Sequence, residues 1–231
     1  MFSLIDVDQF PFYILIIVSI GTGITFIFGR RSNKKITEAI YSDAWDYLRR
    51  HCQSETANFK RTWHGIIKAT FLMRKNEPIQ AMEISISLLS RDIGLGYIPS
   101  KIIKKIDRLY FLASLPNTPE FDMVIVSWDS HKLGPMINKL HPMKIEGKTS
   151  VENFRYYSSE SDFLPQSIMN RFNKKNDYLS HNLKELMVSR DNATIYALCN
   201  AKAECVKPML ETIFELARFS VKKTKKKRKK R

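Results

Sequence analysis

Residues that build metal centres and disulfide frameworks are scarce in this sequence. It contains 3 cysteines, Cys52, Cys199 and Cys205, and none of them forms a CxxC pair. An odd number of scattered cysteines predicts buried reduced thiols, not a disulfide framework or a zinc site. The 5 histidines stand in no HExxH or comparable ligand spacing. We therefore expect neither a cofactor nor a metal.

Motifs of the common enzyme classes are missing as well. Gly94 and Gly96 continue neither to GxGxxG nor to Gly-Lys-Ser/Thr, and no GxSxG elbow occurs. Asp43 and Asp46 fit the solvated face of a helix better than a catalytic pair. The sequence thus predicts a protein that is not an enzyme. A membrane-bound enzyme of unfamiliar chemistry is the least favoured interpretation, and it would require a closed pocket with convergent ionisable groups.

Long uncharged runs are also absent, with one exception. Residues 10–28 form a run of 19 without Asp, Glu, Lys or Arg. A helix of that length rises about 28 Å, close to the hydrocarbon core of a bilayer at about 30 Å. This predicts one transmembrane helix over residues 10–29, after a short lumenal N-terminus of residues 1–9. A signal peptide, which would start with basic residues rather than Asp6 and Asp8, and a buried core helix are weaker alternatives.

The residues beside and within this run predict its orientation and its surface. Four cations, Arg30, Arg31, Lys34 and Lys35, follow it directly. Since cytosolic flanks are enriched in Lys and Arg, the remainder of the chain is expected in the cytosol, with these cations among the lipid headgroups. Three hydroxyls form a polar face of the span, and they either offer a semi-polar surface or, as we favour, bond their own backbone: Ser19, Thr22 and Thr25.

Negative charge is absent from the last ten residues. The formal net charge is +15, and residues 222–231 supply nine cations: Lys222, Lys223, Lys225, Lys226, Lys227, Arg228, Lys229, Lys230 and Arg231. Like charges without apolar neighbours cannot fold alone, so we expect a disordered basic tail. It suits RNA phosphates, anionic lipid, nuclear import or solubility alone. We favour RNA, since the ribosome is the most abundant RNA near a membrane-anchored cytosolic protein.

Between the anchor and the tail, residues 30–221 are predicted to form one cytosolic α+β domain. Ile36, Ile40, Ala44 and Leu48 recur at four-residue steps and predict an amphipathic helix. The other predicted elements are two strands within 59–74, a helix over 77–90, a strand pair 108–115 and 121–128, a helix over 129–140, a loop over 144–150, helices over 164–173 and 178–189, a strand over 193–199 and a last helix from 207.

The order of these elements resembles the calumin family, coiled-coil-domain-containing membrane proteins of the endoplasmic reticulum that work in the PAT complex of the multipass translocon. The similarity extends from the anchor to the tail and depends on the shared order of short segments. Those segments are residues 27–33 (IFGRRSN), Ala44-Trp45, the strands and helix from 63 to 90, residues 164–167 (LPQS), the strand 194–199, and the helix 208–219 that leads into lysines.

The resemblance implies a non-enzymatic accessory factor of the ribosome-bound translocon, acting as an intramembrane chaperone for insertion. The implied partners are the ribosome through ribosomal RNA, the Sec61 translocon, a small Asterix-type membrane partner, nascent multipass membrane proteins and membrane lipid. Localisation in the endoplasmic reticulum membrane is implied, single-pass, with the N-terminus lumenal. The family's acidic lumenal region has no counterpart in residues 1–9, so calcium binding is not carried over, and its long coiled coil is reduced to ten residues. The alternative is a membrane-tethered basic module that binds RNA or anionic lipid without any insertion role.

Overall fold

A computed structural model of the chain describes residues 10–53, 58–61, 66–89, 106–127, 141–142, 154–158 and 181–228. These residues form one antiparallel sheet with two long helices on one of its faces. The helices are α1, Phe10–Leu48, and α2, Val206–Arg228. The strands are β1 Asn58–Arg61, β2 Ile66–Leu72, β3 Ala81–Ser87, β4 Arg108–Ser114, β5 Met123–Ser127, β6 His141–Pro142, β7 Phe154–Ser158, β8 Leu183–Ser189 and β9 Thr194–Asn200. The predicted α+β class with one N-terminal candidate membrane helix is confirmed.

The strand order is β1-β2-β3-β4-β9-β8-β5-β7-β6. The first four strands follow one another as a meander, and the hairpin of β8 and β9 lies between β4 and β5. Sheet and helices share one hydrophobic core, because alternate residues of each central strand point to the helical face. In β3 these are Met82, Ile84 and Ile86, none of which has any exposed surface.

Helix α1 contributes to this core only with its second half. Ile40, Ala44 and Leu48 are fully buried, and Ile36 packs against the same cluster. The four-residue spacing that predicted an amphipathic helix is thus confirmed. The helix is continuous, so the predicted membrane span and the predicted amphipathic helix that follows it are two parts of one 39-residue element.

Helix α2 was predicted to start near residue 207, and it starts at Val206. Met209, Ile213, Leu216 and Ala217 are buried, as its periodicity indicated. Its end differs from the expectation of a disordered tail, because the helix continues without a break through Arg228. Lys and Arg have good helix propensity, and adding residues to an existing helix avoids the cost of nucleation.

Two predicted helices are strands. The segment 77–90 contains β3, where Ile84 completes an alternation of buried residues that the four-residue spacing of Met82 and Ile86 concealed. The segment 178–189 contains β8, with Leu183, Leu186 and Val188 buried in the sheet. In both segments the tertiary context of neighbouring strands outweighs a periodicity that is compatible with a helix.

The strands predicted around residues 108–115 and 121–128 exist as β4 and β5, but they do not pair with each other. Strand β4 pairs with β3 and β9, and β5 pairs with β7 and β8. The two strands predicted within 59–74 are β1 and β2, and the strand predicted over 193–199 is β9. The predicted helices over 129–140 and 164–173, the loop over 144–150 and the N-terminal residues 1–9 lie outside the described residues.

Candidate membrane anchor and basic helix

The first half of α1 is apolar and exposed. Leu15, Ile17 and Phe28 expose 65%, 69% and 65% of their surfaces, whereas Ala44 and Leu48 in the same helix expose none. Among the described residues, this is the one helix that is long and apolar enough to cross a membrane. Apolar side chains on all sides of a helix need a nonpolar surrounding, and the sheet supplies one only from Ile36 onward. The described part of the chain therefore carries one candidate membrane span, joined directly to a folded domain.

Two of the three hydroxyls predicted to form a polar face of the span, those of Thr22 and Thr25, bond the helix itself. The Thr22 hydroxyl donates to the carbonyls of Val18 and Ser19, both at 2.9 Å. The Thr25 hydroxyl donates to the carbonyl of Thr22 at 2.9 Å. A Cβ atom built on Gly21 or Gly23 would meet nothing within 4 Å. This part of the helix surface is therefore compatible with lipid, and Gly21 and Gly23 leave room for close approach by another helix.

The four predicted headgroup cations lie in the two turns that follow the apolar segment. Arg30, Arg31, Lys34 and Lys35 are all exposed. Lys34 Nζ lies 3.6 Å from the Glu38 carboxylate, in a pair whose side chains are 73% and 64% exposed. Such a pair contributes little to stability in water, so these cations remain available to an anionic surface.

Polar links between α1 and the sheet begin in the same turns. Asn33 Nδ2 donates to the Leu89 carbonyl at 3.2 Å, and the Leu89 N–H donates to Asp107 Oδ1 at 2.7 Å. About two helical turns further on, the buried Tyr41 hydroxyl contacts the carbonyls of Ile67 and Ile84 at 2.9 and 3.3 Å. Sequence reasoning missed these links because they join residues far apart in the chain, and no local pattern marks them.

These links define two ends of the sheet. The end of the strands that lies beside Asn33 is called the proximal edge. It contains Leu89, Asp107, Arg108 and Asn200. At the opposite end, called the distal edge, the N–H of Gln53 donates to the Leu72 carbonyl at 2.9 Å just after α1 ends. Helix α1 therefore runs from the proximal edge to the distal edge, away from the span.

Helix α2 runs in the same direction. It follows β9, whose last residue, Asn200, pairs with Arg108 at the proximal edge. Midway along α2, the Phe214 ring lies 4.7 Å from the ring of His51, which follows the end of α1. Further on, Phe219 lies 6.4 Å from Phe121, near the distal edge. The backbone of residues 222–228 extends this line, so the basic helical extension points away from the candidate membrane.

The separation between the two basic regions is large on an electrostatic scale. Arg30 and Leu48 are 18 residues apart within α1, which corresponds to about 27 Å at 1.5 Å per residue. The Debye length at physiological ionic strength is about 8 Å. Residues 222–228 lie beyond the distal edge, so their charges are screened from any charges beside Arg30 and Arg31.

The helix-free face of the sheet carries a cluster of ionisable side chains, namely Arg108, Tyr110, Glu185 and Tyr196. The rings of Tyr110 and Tyr196 are 6.5 Å apart. Burial raises the pKa of the Glu185 carboxyl. Burial, and then the nearby carboxylate of Glu185, raise the pKa of the Tyr196 hydroxyl, with Arg108 opposing this shift. The cluster favours neutral forms of both acids, and sequence reasoning did not identify it, because alternation places its members on a strand face without revealing their neighbours.

The three cysteines lie in the interior of the domain. Cys52, Cys199 and Cys205 are buried thiols, and burial raises the pKa of Cys52 and Cys199, which lowers their thiolate fraction. Within the described part of the chain, no group of three or more His, Cys, Asp or Glu could hold a metal ion.

Comparison with known proteins adds no relative to this description. No model of a protein family matches the chain, and no curated protein matches it.

Proposed function

We propose that the protein is a single-pass, membrane-anchored, non-enzymatic adaptor that presents a basic helix to RNA at a distance from the bilayer. One observation carries this proposal, namely that α1 and α2 run in the same direction from the proximal to the distal edge. The membrane span and the basic extension are therefore held at opposite ends of one domain. A rigid spacer of this kind is useful only if the partner of the extension stands away from the membrane.

The charge of the extension favours a polyanion as that partner. Residues 222–228 carry six cations and no acid, and a helix C-terminus adds a partial negative charge that favours such cations in their place. RNA presents closely spaced phosphates, so neutralising several of them releases counterions and gives a binding constant that falls steeply with salt. The extension supplies charge without base-reading geometry, which predicts RNA binding with little dependence on sequence.

Within this proposal, we assign the RNA to the ribosome and the membrane to the endoplasmic reticulum, as the resemblance to the calumin family implies. The protein would then be an accessory factor of the ribosome-bound Sec61 translocon, paired with a small Asterix-type partner, that shields nascent multipass membrane proteins. The exposed, uncharged surface of residues 11–28 supports a role beside nascent spans, because Gly21 and Gly23 permit close helix approach.

The alternative function, in which the basic residues bind anionic lipid with no insertion role, divides between the two regions. Arg30, Arg31, Lys34 and Lys35 lie directly after the span, where lipid headgroups are expected. The extension of α2 lies beyond the distal edge, too far from the same bilayer for its cations to contact headgroups. The geometry thus favours lipid for the first region and RNA for the second.

Co-sedimentation of the full chain with ribosomes in mild detergent tests this proposal. We compare the intact chain with a chain that ends at Val221, over a salt series from about 50 to 200 mM. If six or more cations contact phosphates, affinity falls by roughly three orders of magnitude over this range. Truncation is expected to abolish sedimentation and to leave membrane association unchanged.

Two further arms separate RNA from lipid and chaperone from simple tether. Liposomes with and without phosphatidylserine replace the ribosomes, and truncation at Val221 is expected to leave liposome association unchanged. Equal ribosome binding by both chains, with liposome binding lost on truncation, would contradict the RNA assignment. Gentle extraction that recovers ribosomes without Sec61 or a small multispan partner would contradict the translocon role and retain the RNA-binding tether.

A further inference from the structure

We infer that the proximal edge of the sheet is a second membrane contact, which rests on the surface of the anionic bilayer that holds α1. The contact surface consists of four exposed side chains: Ile106, Arg108, Lys202 and Lys207. This inference depends on the membrane anchoring of α1 and is independent of RNA binding by the extension of α2.

The proximal edge lies close to the surface of the bilayer that α1 would cross. Asn33, which holds the Leu89 carbonyl at 3.2 Å, is three residues beyond Arg30 on the same continuous helix. Three residues of helix rise about 4.5 Å. The polar headgroup region on each side of the hydrocarbon core is about 5–8 Å thick. The Asn33–Leu89 link therefore lies within or at the outer limit of the headgroup region that Arg30 enters.

Hydrogen bonds connect the Asn33–Leu89 link to the rest of the proximal edge. The Leu89 N–H donates to Asp107 Oδ1 at 2.7 Å, and the Asp107 carbonyl accepts from the Ala201 N–H at 2.9 Å. These bonds join α1, the end of β3, the start of β4 and the segment that precedes α2. Transmembrane helices tilt by about 20° on average, and over a lateral distance of about 10 Å this changes the height of the edge by only about 4 Å.

The side chains exposed at the proximal edge are apolar and basic. Ile106 has 54% of its surface exposed immediately before β4. Arg108 starts β4, and Lys202 and Lys207 flank the 3-10 turn Ala203–Cys205 that leads into α2. One exposed carboxylate, Glu204, lies among these three cations in the described part of the edge. An exposed apolar side chain together with a net positive charge at the same end of the sheet is the composition that binds an anionic membrane surface.

The same contact fixes the orientation of the domain relative to the membrane. With the proximal edge on the headgroups and α1 passing through them, the domain has two separate points of contact with the membrane. The direction from the proximal to the distal edge is then held pointing away from the membrane, and the basic extension of α2 is directed away from the bilayer.

Site-specific quenching tests this inference with a control of equal exposure. Ile106→Cys and Leu72→Cys each replace a side chain that is 54% exposed, the first at the proximal edge and the second at the distal edge. Each full-length variant is labelled with an environment-sensitive fluorophore and reconstituted into membranes that contain headgroup-attached quencher. Flotation of each sample shows whether the span is inserted. We expect strong quenching at position 106 and little at position 72.

Charge reversal then tests whether the partner is anionic lipid. Arg108→Glu, Lys202→Glu and Lys207→Glu are combined, and the control combines Arg49→Glu, Arg50→Glu and Lys75→Glu, three exposed cations near the distal edge. Since a cation near an anionic surface changes binding by about fivefold, the proximal variant is expected to lose quenching at position 106 in phosphatidylserine membranes. The distal variant is expected to retain it.

The outcomes separate this inference from the other proposals. Chains that float with the membrane but show equal quenching at positions 72 and 106 overturn the proximal contact and leave the anchor intact. Unchanged quenching after proximal charge reversal overturns the assignment of anionic lipid. Chains that do not float overturn the anchor and this inference together, whereas ribosome co-sedimentation in detergent reads the RNA proposal separately.

Discussion

At the scale of single residues, Tyr41 connects α1 to the sheet. Its ring is buried between α1 and the strands, packs edge-on against Phe59 at 5.3 Å, and its hydroxyl contacts two strand carbonyls. Ile67 is the second residue of β2 and Ile84 is the middle residue of β3, so the hydroxyl links α1 to two neighbouring strands and fixes its position against the sheet. Burial raises the pKa of this hydroxyl, which keeps it protonated as a donor.

Replacing this hydroxyl tests how much the link contributes. Tyr41→Phe keeps the ring and removes the donor, and one such hydrogen bond contributes about 1 kcal/mol. We expect the free energy of unfolding to fall by about that amount at pH 7, as measured by urea denaturation of the full chain in detergent. The folded pKa lies above the unfolded value of about 10, so this stabilisation is present below pH 10 and is lost as the pH rises. A difference between the two chains that stays constant into strongly alkaline pH would contradict the role of the neutral hydroxyl.

Glu185 has the opposite effect at neutral pH. Its carboxyl lies on the helix-free face beside Tyr196, and burial raises its folded pKa above the unfolded value of about 4.3. The folded state therefore favours the neutral acid, and ionisation costs stability as the pH rises through the folded pKa. Glu185→Gln is expected to raise the free energy of unfolding at pH 7, with the gain declining towards pH 4. Denaturation curves at both pH values measure this, and a gain that is equal at both would show that charge is not the cause.

At the scale of elements, α1 occupies two environments without a break. Its first half is exposed and apolar, and its second half is amphipathic and buried on one side only. Continuity is possible because residues 10–48 contain no proline after the first turn. The helix therefore transmits the position of the span directly to the sheet, and its docking should depend on the small buried side chains of the second half.

Ala44 is the sharpest test of this docking. It has no exposed surface, whereas Ser42, two residues earlier, is exposed. Ala44→Glu places an unpaired carboxylate between helix and sheet and is expected to cost about 3 kcal/mol or more. Ser42→Glu introduces the same residue on the exposed side and is expected to stay within about 0.5 kcal/mol. Thermal unfolding of both variants in detergent measures the contrast, and equal stabilities would contradict the docking of this face.

The elements that sequence reasoning predicted correctly are those whose signal is local. The uncharged run of residues 10–28 and the periodicity of Ile40, Ala44 and Leu48 predict α1 from one segment of chain. Strand β9 and helix α2 follow from the same kind of evidence. Strand β3 was assigned to a helix because Met82 and Ile86 satisfy both periods, and only the neighbouring strands β2 and β4 decide between them.

The candidate site was only half predictable for the same reason. Arg30, Arg31, Lys34, Lys35 and the basic residues from 222 onward are conspicuous in composition. Their placement at opposite ends of the domain depends on pairings such as Arg108 with Asn200, which are 92 residues apart in the chain. Strand pairing at such separations is decided by packing of the whole sheet and leaves no local pattern. The sequence therefore indicated two basic regions with a whole domain between them, but not which ends of the folded domain they occupy.

At the scale of the whole molecule, the proposals require one orientation of the chain in the membrane. Every proposed partner of the basic extension is cytosolic, so the domain must lie on that side. The chain carries its own reporter, the acceptor sequence Asn192-Ala193-Thr194, in the turn between β8 and β9. Asn192 is exposed, and the turn is tight, with Ala193 at a φ of 49°. An exposed acceptor of this kind is open to modification if the domain enters the lumen.

We expect Asn192 to remain unmodified in cells, since cations that directly follow a span favour a cytosolic location for what comes after them. Changing Arg30, Arg31, Lys34 and Lys35 to Glu together is expected to invert a fraction of the chains, which then gain one glycan at Asn192. A shift in gel mobility that a glycosidase reverses measures this fraction, and Thr194→Ala in the same background is the control that removes the acceptor. A glycan on the unaltered chain would place the domain in the lumen and contradict ribosome binding. If the Glu variant stays unmodified while still inserted, the folded domain and not these charges sets the orientation.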